Sequence, residues 1–169
     1  NEGWGLALTE SILTGTMITA NVTGGMQDQM RFVNEKGEWI DFSKDFPSNH
    51  RKTYTECGEW TEPIFPSNIS VTGSPPTPYI YDDRCSSEDA AQALLNVYNL
   101  GKEERERRGE EGRKWATGVE AKFTAEHMSN SVIEILDIVF EAFKPRPAYE
   151  FFTIKERPRK IVTHKLTGY

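Results

Sequence analysis

The chain has 169 residues, with 37% hydrophobic and 27% charged side chains and a net charge of -6. This is the composition of one soluble domain with a buried core. The negative charge argues against a general attraction to nucleic acid or anionic membranes, and no apolar run approaches the ~20 residues of a membrane-spanning helix. The surroundings of Cys57 and Cys85 are unlike a disulfide framework or a metal site, so we expect unpaired thiols and a cytoplasmic location.

The first predicted element is a short helix over about residues 5–13, which Gly15 ends as a glycine past the last turn commonly does. The β-branched run at 16–21 predicts a buried strand, and a Gly24-Gly25 turn then leads into a second short helix. This succession indicates α/β layering over a parallel sheet. The apolar side chains of the first helix available for burial are Leu6, Leu8, Ile12 and Leu13.

The amino-acid composition changes between residues 33 and 78, which are rich in Pro, Ser, Asn and aromatic residues. The segment has no sustained helical period, and its Gly and Pro residues predict loops with short strands. It is too aromatic for a disordered linker, so we expect an ordered insertion packed on the main body. Its aromatic residues are expected in a core, with a sugar-stacking surface as the alternative: Trp39, Tyr54, Trp60 and Phe65.

Residues 78–83 (PYIYDD) predict a strand, and SSEDAAQALLNVYNL predicts a helix with Ser86 or Ser87 as its N-cap. The following KEERERRGEEGRKWA predicts a charged helix with a solvated face. Its opposite charges at four-residue spacing include the pairs Glu103 with Arg107 and Glu104 with Arg108.

A long helix is predicted from 124 to 143, with Thr124 as its N-cap. The tail at 144–169 is the one locally basic stretch and holds two predicted short strands, at 149–154 and 160–166. The apolar residues of the long helix fall on one stripe: Met128, Val132, Ile135, Leu136, Val139, Phe140 and Phe143.

The beginning of the chain offers groups that suit a nucleotide sugar. Gly3 and Gly5 lack side chains where a helix begins, so backbone N–H groups can approach an anion at the positive end of the helix dipole. Glu10 lies near the middle of that helix, where a carboxylate can accept hydrogen bonds from two ribose hydroxyls. Glu2 precedes the turn and can reach hydroxyls on the group that the far phosphate carries. On these residues alone, a glycine-tolerant loop with two solvated glutamates is the alternative.

The string EGWGLALTESILTGTMITANVTGG resembles the donor-binding signature of retaining GT-B glycosyltransferases, the large glycosyltransferase family four and its glycogen-synthase-like relatives. That pattern has Glu, Gly, an aromatic residue, Gly and Leu, then a second Glu, a helix exit and a Gly-Gly turn. Residues 79–143 resemble the strand, acidic loop and helices that follow in the family. Members usually have proline where Met17 stands and an acidic residue a few positions after the glycine pair, where 26–29 run. The signature positions here are Glu2, Trp4, Glu10, Gly15-Thr16 and Gly24-Gly25.

The resemblance implies transfer of a sugar from a nucleotide-diphosphate sugar, with retention and without a metal ion or other cofactor. The acceptor would be a glycan, a protein or a small molecule. Glu2 is implied to be catalytic and to hold hydroxyls of the transferred sugar, and Glu10 to bind the ribose diol. The implied donor-binding set is Glu2, Gly3, Trp4, Gly5, Leu6 and Glu10.

In fold, the resemblance implies the distal part of a Rossmann-like GT-B C-terminal domain over 1–143, with 33–78 as an aromatic and proline-rich insertion and 144–169 as a tail. Family members carry an acceptor domain and an Arg/Lys pair before the signature. We therefore expect both to precede this chain in a longer protein, and the chain alone to be inactive. Two alternatives are a sugar-nucleotide epimerase of the same fold and a non-catalytic nucleotide-sugar-binding or assembly module.

Overall fold

The computed structural model describes residues 3–145. This part of the chain is a mixed α/β structure with two small sheets. Glu2 and the two strands predicted in the tail lie outside it. The helices and strands are α1 (Leu6–Leu13), β1 (Ile18–Asn21), a 3₁₀ helix (Gly24–Met30), β2 (Thr61–Ile64), β3 (Asn68–Ser74), β4 (Thr77–Arg84), α2 (Ser87–Asn99), α3 (Gly101–Thr117) and α4 (Ala125–Ala142).

Strands β1 and β2 form a parallel pair, with Ile18 opposite Thr61 and Asn21 opposite Ile64. The predicted α/β structure with a parallel sheet is confirmed at this level. Residues 18 and 20 of β1 are buried and alternate with half-buried neighbours, as the two-residue side-chain period of a strand requires. Because β2 lies within 33–78, this segment contributes a sheet strand as well as loops.

The core between α1, the parallel sheet and α3 is built on two tryptophans. The rings of Trp60 and Trp115 stack with their centroids 4.7 Å apart, and only 6% and 8% of these residues is exposed. Ile12, Ile18 and Ala116 complete the buried cluster. The expectation that Trp60 belongs to a core is confirmed.

Two predictions of burial were wrong. Leu6 is 70% exposed, because the first turn of α1 turns this side chain away from the sheet that buries Ile12. Trp39 is 39% exposed and reaches the core with one edge, 6.1 Å from the Trp115 ring centroid.

Helix α3 confirms the predicted charged helix with a solvated face, and its opposite face is buried. Gly109 and Gly112 are buried because the helix passes very close to other parts of the chain. A Cβ on Gly109 would collide with the Gly15 carbonyl, and one on Gly112 would collide with Trp60. Glycine inside a helix costs about 1 kcal/mol relative to alanine, so close packing accounts for these two positions.

The charged face of α3 carries a small ion-pair network. The predicted ion pair of Glu104 and Arg108 is confirmed at 2.7 Å. The predicted pair of Glu103 and Arg107 is wrong, because Arg107 pairs with Glu104 instead. Arg107 lies between Glu104 at 2.8 Å and Glu59 at 2.7 Å, because Glu59 precedes Trp60 in the loop under the helix. The network thus holds that loop to α3.

Strand β4 confirms the predicted strand and pairs antiparallel with β3 in a hairpin. Tyr81 stands opposite Val71, and both are more than half exposed. Ser86 is the N-cap of α2, and its side chain accepts a hydrogen bond from the Asp89 backbone at 3.0 Å, as predicted.

Helix α4 confirms the long predicted helix and its N-cap, since the Thr124 hydroxyl accepts the His127 backbone N–H at 3.3 Å. None of its residues is buried. Among residues 3–145, no helix combines the length and the apolar character that crossing a bilayer requires.

Candidate functional site

The turn before α1 leaves the start of that helix open. Gly5 is its N-cap at φ 80° and ψ 67°, a left-handed conformation that favours glycine. No side chain caps the helix in the described part of the chain, and its first turn holds no acidic residue. Because side-chain caps and first-turn carboxylates compete with anions for these N–H groups, this end suits an anionic ligand.

A second glycine turn packs directly beneath the first. A Cβ on Gly25 would collide with the carbonyl oxygen of Gly3 and would lie 3.3 Å from the Cα of Trp4. The two backbones can touch because position 25 has no side chain. Gly25 follows β1 by four residues, so the turn before α1 lies beside the chain leaving the carboxyl end of β1. Ligands of α/β folds bind at this edge of a parallel sheet.

Gln29 holds the turn in place from inside the protein. It is fully buried, and its Nε2 donates to the carbonyl oxygen of Trp4 at 2.5 Å and to that of Gly5 at 3.4 Å. Its Oε1 accepts the Thr9 hydroxyl at 2.8 Å, and Thr9 in turn accepts the Trp4 indole N–H at 2.9 Å. The sequence did not single out Gln29. The only sequence feature that pointed to it is its position within 26–29, where this chain differs from the glycosyltransferase pattern.

The Trp4 side chain contacts other residues of the protein. Its ring meets Phe123 edge to face at 5.4 Å, and its indole N–H is bonded to Thr9. A depression of about 260 Å³ separates Trp4 and Thr9 from the start of α4 at Met128. Trp4 therefore shapes the turn through its side chain and borders the helix end through its backbone.

Glu10 and Leu6 lie on one exposed face of α1, since residues four apart in a helix are neighbours. Four residues correspond to about 6 Å along the helix axis, so Glu10 lies about one turn into α1 from its open end. Gly3 and Gly5 thus lie in the turn at the start of α1, and Leu6 and Glu10 are exposed along the helix. The catalytic candidate Glu2 lies outside the described residues.

A polar cavity of about 360 Å³ lies at the end of β1, lined by Asn21 and by 82–85 of β4 and its exit. The Thr23 hydroxyl donates to Asp83 Oδ2 at 2.7 Å, and Asn21 Nδ2 donates to the Asp83 carbonyl at 3.3 Å. These bonds connect the hairpin to residues 21–23, which lead into the 3₁₀ helix that contains Gly25. The carboxylates of Asp82 and Asp83 suit hydroxyl groups rather than phosphates, because carboxylates accept hydrogen bonds and repel anions.

Two half-buried titratable side chains, Asp28 and Cys57, have raised pKa values. Burial, and then the neighbouring charge of Asp41, raises the pKa of Asp28 in the 3₁₀ helix. Burial, and then Glu62, raises the pKa of the Cys57 thiol to about 12. Because the thiolate is the reactive form, Cys57 is a poor nucleophile at neutral pH. Cys57 and Cys85 are both free thiols.

Comparison of the chain with protein-family models, curated proteins and solved structures found no match. Within residues 3–145, no three His, Cys, Asp or Glu side chains gather where they could hold a metal ion. What the chain does is therefore inferred from its own residues and their arrangement.

Proposed function

We propose that this chain supplies part of the donor site of a retaining glycosyltransferase that uses a nucleotide-diphosphate sugar. It would be the distal part of a Rossmann-like GT-B C-terminal domain, acting with an acceptor-binding domain. One observation carries the proposal: the Gly3–Gly5 turn packs on Gly25 at the open end of α1, with Glu10 exposed on the same helix.

The diphosphate of the donor is assigned to the start of α1. The N–H groups of the first turn and the helix dipole both favour negative charge there. In the reaction the bond from the anomeric carbon to the diphosphate breaks, and negative charge accumulates on the leaving oxygen. Dipoles that are already oriented stabilise this charge without reorganisation, and Gln29 fixes the turn that orients them.

The ribose is assigned to Glu10. A nucleotide joins its ribose to the first phosphate through a single CH₂–O link, and about one helical turn separates Glu10 from the helix end. A carboxylate can accept hydrogen bonds from both ribose hydroxyls at once. The exposed Leu6 would lie under the donor between these two contacts.

Glu2 is proposed as the catalytic carboxylate that holds hydroxyls of the transferred sugar. It directly precedes Gly3 in the sequence. Retention requires the acceptor hydroxyl to attack from the face that the diphosphate leaves. Positioning the sugar against that face is the contribution expected from Glu2.

The proposal is tested by measuring donor binding to the longest natural form of the protein. UDP-glucose, GDP-mannose and ADP-glucose are titrated by calorimetry and thermal shift. Glu10→Gln should weaken binding of the preferred donor by roughly 10- to 100-fold, the value of a charge-assisted hydrogen bond. Glu106→Gln, an exposed glutamate on α3, is the matched control and should change nothing.

A donor analogue that lacks the ribose 2′-hydroxyl sharpens the assignment. If Glu10 binds the diol, Glu10→Gln should weaken binding of this analogue clearly less than binding of the intact donor, because one of the two hydrogen bonds to Glu10 is already missing. Independent, additive losses would refute the ribose assignment. Glu2→Gln should lower the turnover rate more than the donor affinity. If product analysis shows only an epimerised donor and no transferred sugar, the protein is an epimerase and not a transferase.

A further inference from the structure

Helix α4 presents a long apolar face that no described element covers. It has 18 residues, and none of them is buried. Most helices in proteins are stabilised by packing of their apolar face rather than by intrinsic helix propensity. The apolar stripe of α4 comprises Met128, Val132, Ile135, Leu136, Val139, Phe140 and Phe143, each between 45% and 74% exposed.

The charges of α4 indicate what kind of segment can cover its apolar stripe. The helix contains four acidic residues and no Lys or Arg, and all four acidic side chains are exposed: Glu126, Glu134, Asp137 and Glu141. A covering segment should therefore be apolar and basic. Two copies of α4 would bring together two helices that are each acidic and lack Lys and Arg, so a basic segment is favoured over a second copy.

Residues 146–169 have this composition. They contain six Lys or Arg against two Glu, and they include apolar residues that match the face in kind. They lie outside the part of the chain that the structure describes, so only their sequence enters here. The apolar members are Tyr149, Phe151, Phe152, Ile154, Ile161, Val162 and Leu166.

The length of this segment is sufficient. Helix α4 is about 27 Å long at a rise of about 1.5 Å per residue. Residues 146–169 would span about 36 Å even at that short helical rise, and more in any extended conformation. The segment begins three residues after Phe143, and this attachment gives it a high effective concentration at the stripe.

We propose that residues 146–169 of the same chain bind along the apolar stripe of α4. Their apolar side chains cover the stripe, and their long basic side chains extend around the helix toward its carboxylates. The inference does not depend on the proposed glycosyltransferase function, because it concerns only α4 and the tail.

A photo-cross-link in the full chain tests this directly. The variant Val132→p-benzoylphenylalanine places the probe in the stripe, far from the tail in sequence, and Asn130→p-benzoylphenylalanine places it on the opposite face as a control. We expect cross-links from 132 to peptides within 146–169, about tenfold more abundant than from 130. In a mixture of ¹⁴N and ¹⁵N chains, the cross-linked peptides should come from the same chain.

Other cross-linking outcomes would overturn the proposal. Cross-links between differently labelled chains would identify a second copy as the occupant. Cross-links from 132 to other parts of the protein, or equal cross-linking from 130 and 132, would show that the tail does not cover the stripe.

A charge swap provides an independent measurement by hydrogen exchange. Reversing Arg157, Arg159 and Lys160 to Glu should speed exchange of the α4 amides by roughly threefold. Changing Glu134, Asp137 and Glu141 to Lys in the same chain should restore it. If the charge reversal leaves the exchange rate of the α4 amides unchanged, the proposal is wrong.

The control reverses exposed cations elsewhere, Lys36, Lys44 and Arg51, and should leave α4 unchanged. The β1 amides report whether each variant is folded. If a reversal unfolds the chain, the cross-links from 132 decide the question.

Discussion

Helices α3 and α4 differ in burial in a way that their compositions alone do not indicate. Helix α3 is densely charged, yet it buries Gly109, Gly112 and Trp115 against the core. Helix α4 has a continuous apolar stripe, yet it buries nothing within the described chain. An apolar stripe indicates that a helix packs against another segment. Small residues in a charged helix indicate where another segment approaches its backbone closely. Burial depends on what lies opposite the helix.

The largest effect is expected in the tryptophan core beneath α3. Trp60→Ala should lower the free energy of unfolding by about 3–5 kcal/mol, because it removes a buried ring and leaves a cavity against Trp115. Urea denaturation measures the loss. Trp39→Ala is the matched control, and since Trp39 is 39% exposed its loss should be much smaller. Equal losses would contradict the distinction between core and surface.

The next effect concerns the turn before α1. Gln29→Ala should cost about 1–3 kcal/mol, because it leaves the carbonyl of Trp4 and the hydroxyl of Thr9 without their buried partner. Urea denaturation again measures it, and exposed Gln92→Ala is the control. A loss no larger than that of the control would mean that the turn does not depend on Gln29.

The exposed hairpin should respond weakly. Tyr81→Ala removes the cross-strand contact with Val71 and should cost about 0.2–1 kcal/mol. Tyr98→Ala, on the exposed face of α2, is the control for removing a surface tyrosine. A loss above about 2 kcal/mol would indicate that the hairpin packs against an element outside the described residues.

The smallest effect is a pH dependence at Asp28. Its pKa is raised in the folded protein, so folding disfavours the ionised form and stability falls as the pH rises through that pKa. Asp28→Asn should therefore raise the free energy of unfolding at pH 7 by a few tenths of a kcal/mol and have little effect at pH 3, where the carboxyl is protonated in both states. Denaturation at both pH values tests this, with exposed Asp45→Asn as the control. A gain that is the same at both would exclude the carboxylate as its cause.

Local signals predicted the elements of this chain well. Helix α1, strands β1 and β4, and the N-caps Ser86 and Thr124 all follow from residue periodicity and capping chemistry. These features depend on interactions within a few residues, which the sequence displays directly. Signals of the same local kind predicted Glu10 within α1 and Gly5 at its start.

Other features depended on long-range contacts. The antiparallel pairing of β4 with β3, the exposure of Leu6 and the role of Gln29 could not be read from neighbouring residues. Each is decided by which backbone or ring lies opposite a position that is distant in sequence.

The sequence by itself determined where α1 and β1 form and which glycines leave the start of α1 open, because these outcomes depend on backbone conformation and nearby side chains. The tertiary structure alone decided that Gly25 lies against Gly3 and that Gln29 fixes the turn between them. The reason is physical: a missing Cβ permits a close approach, but only packing selects the partner that makes it.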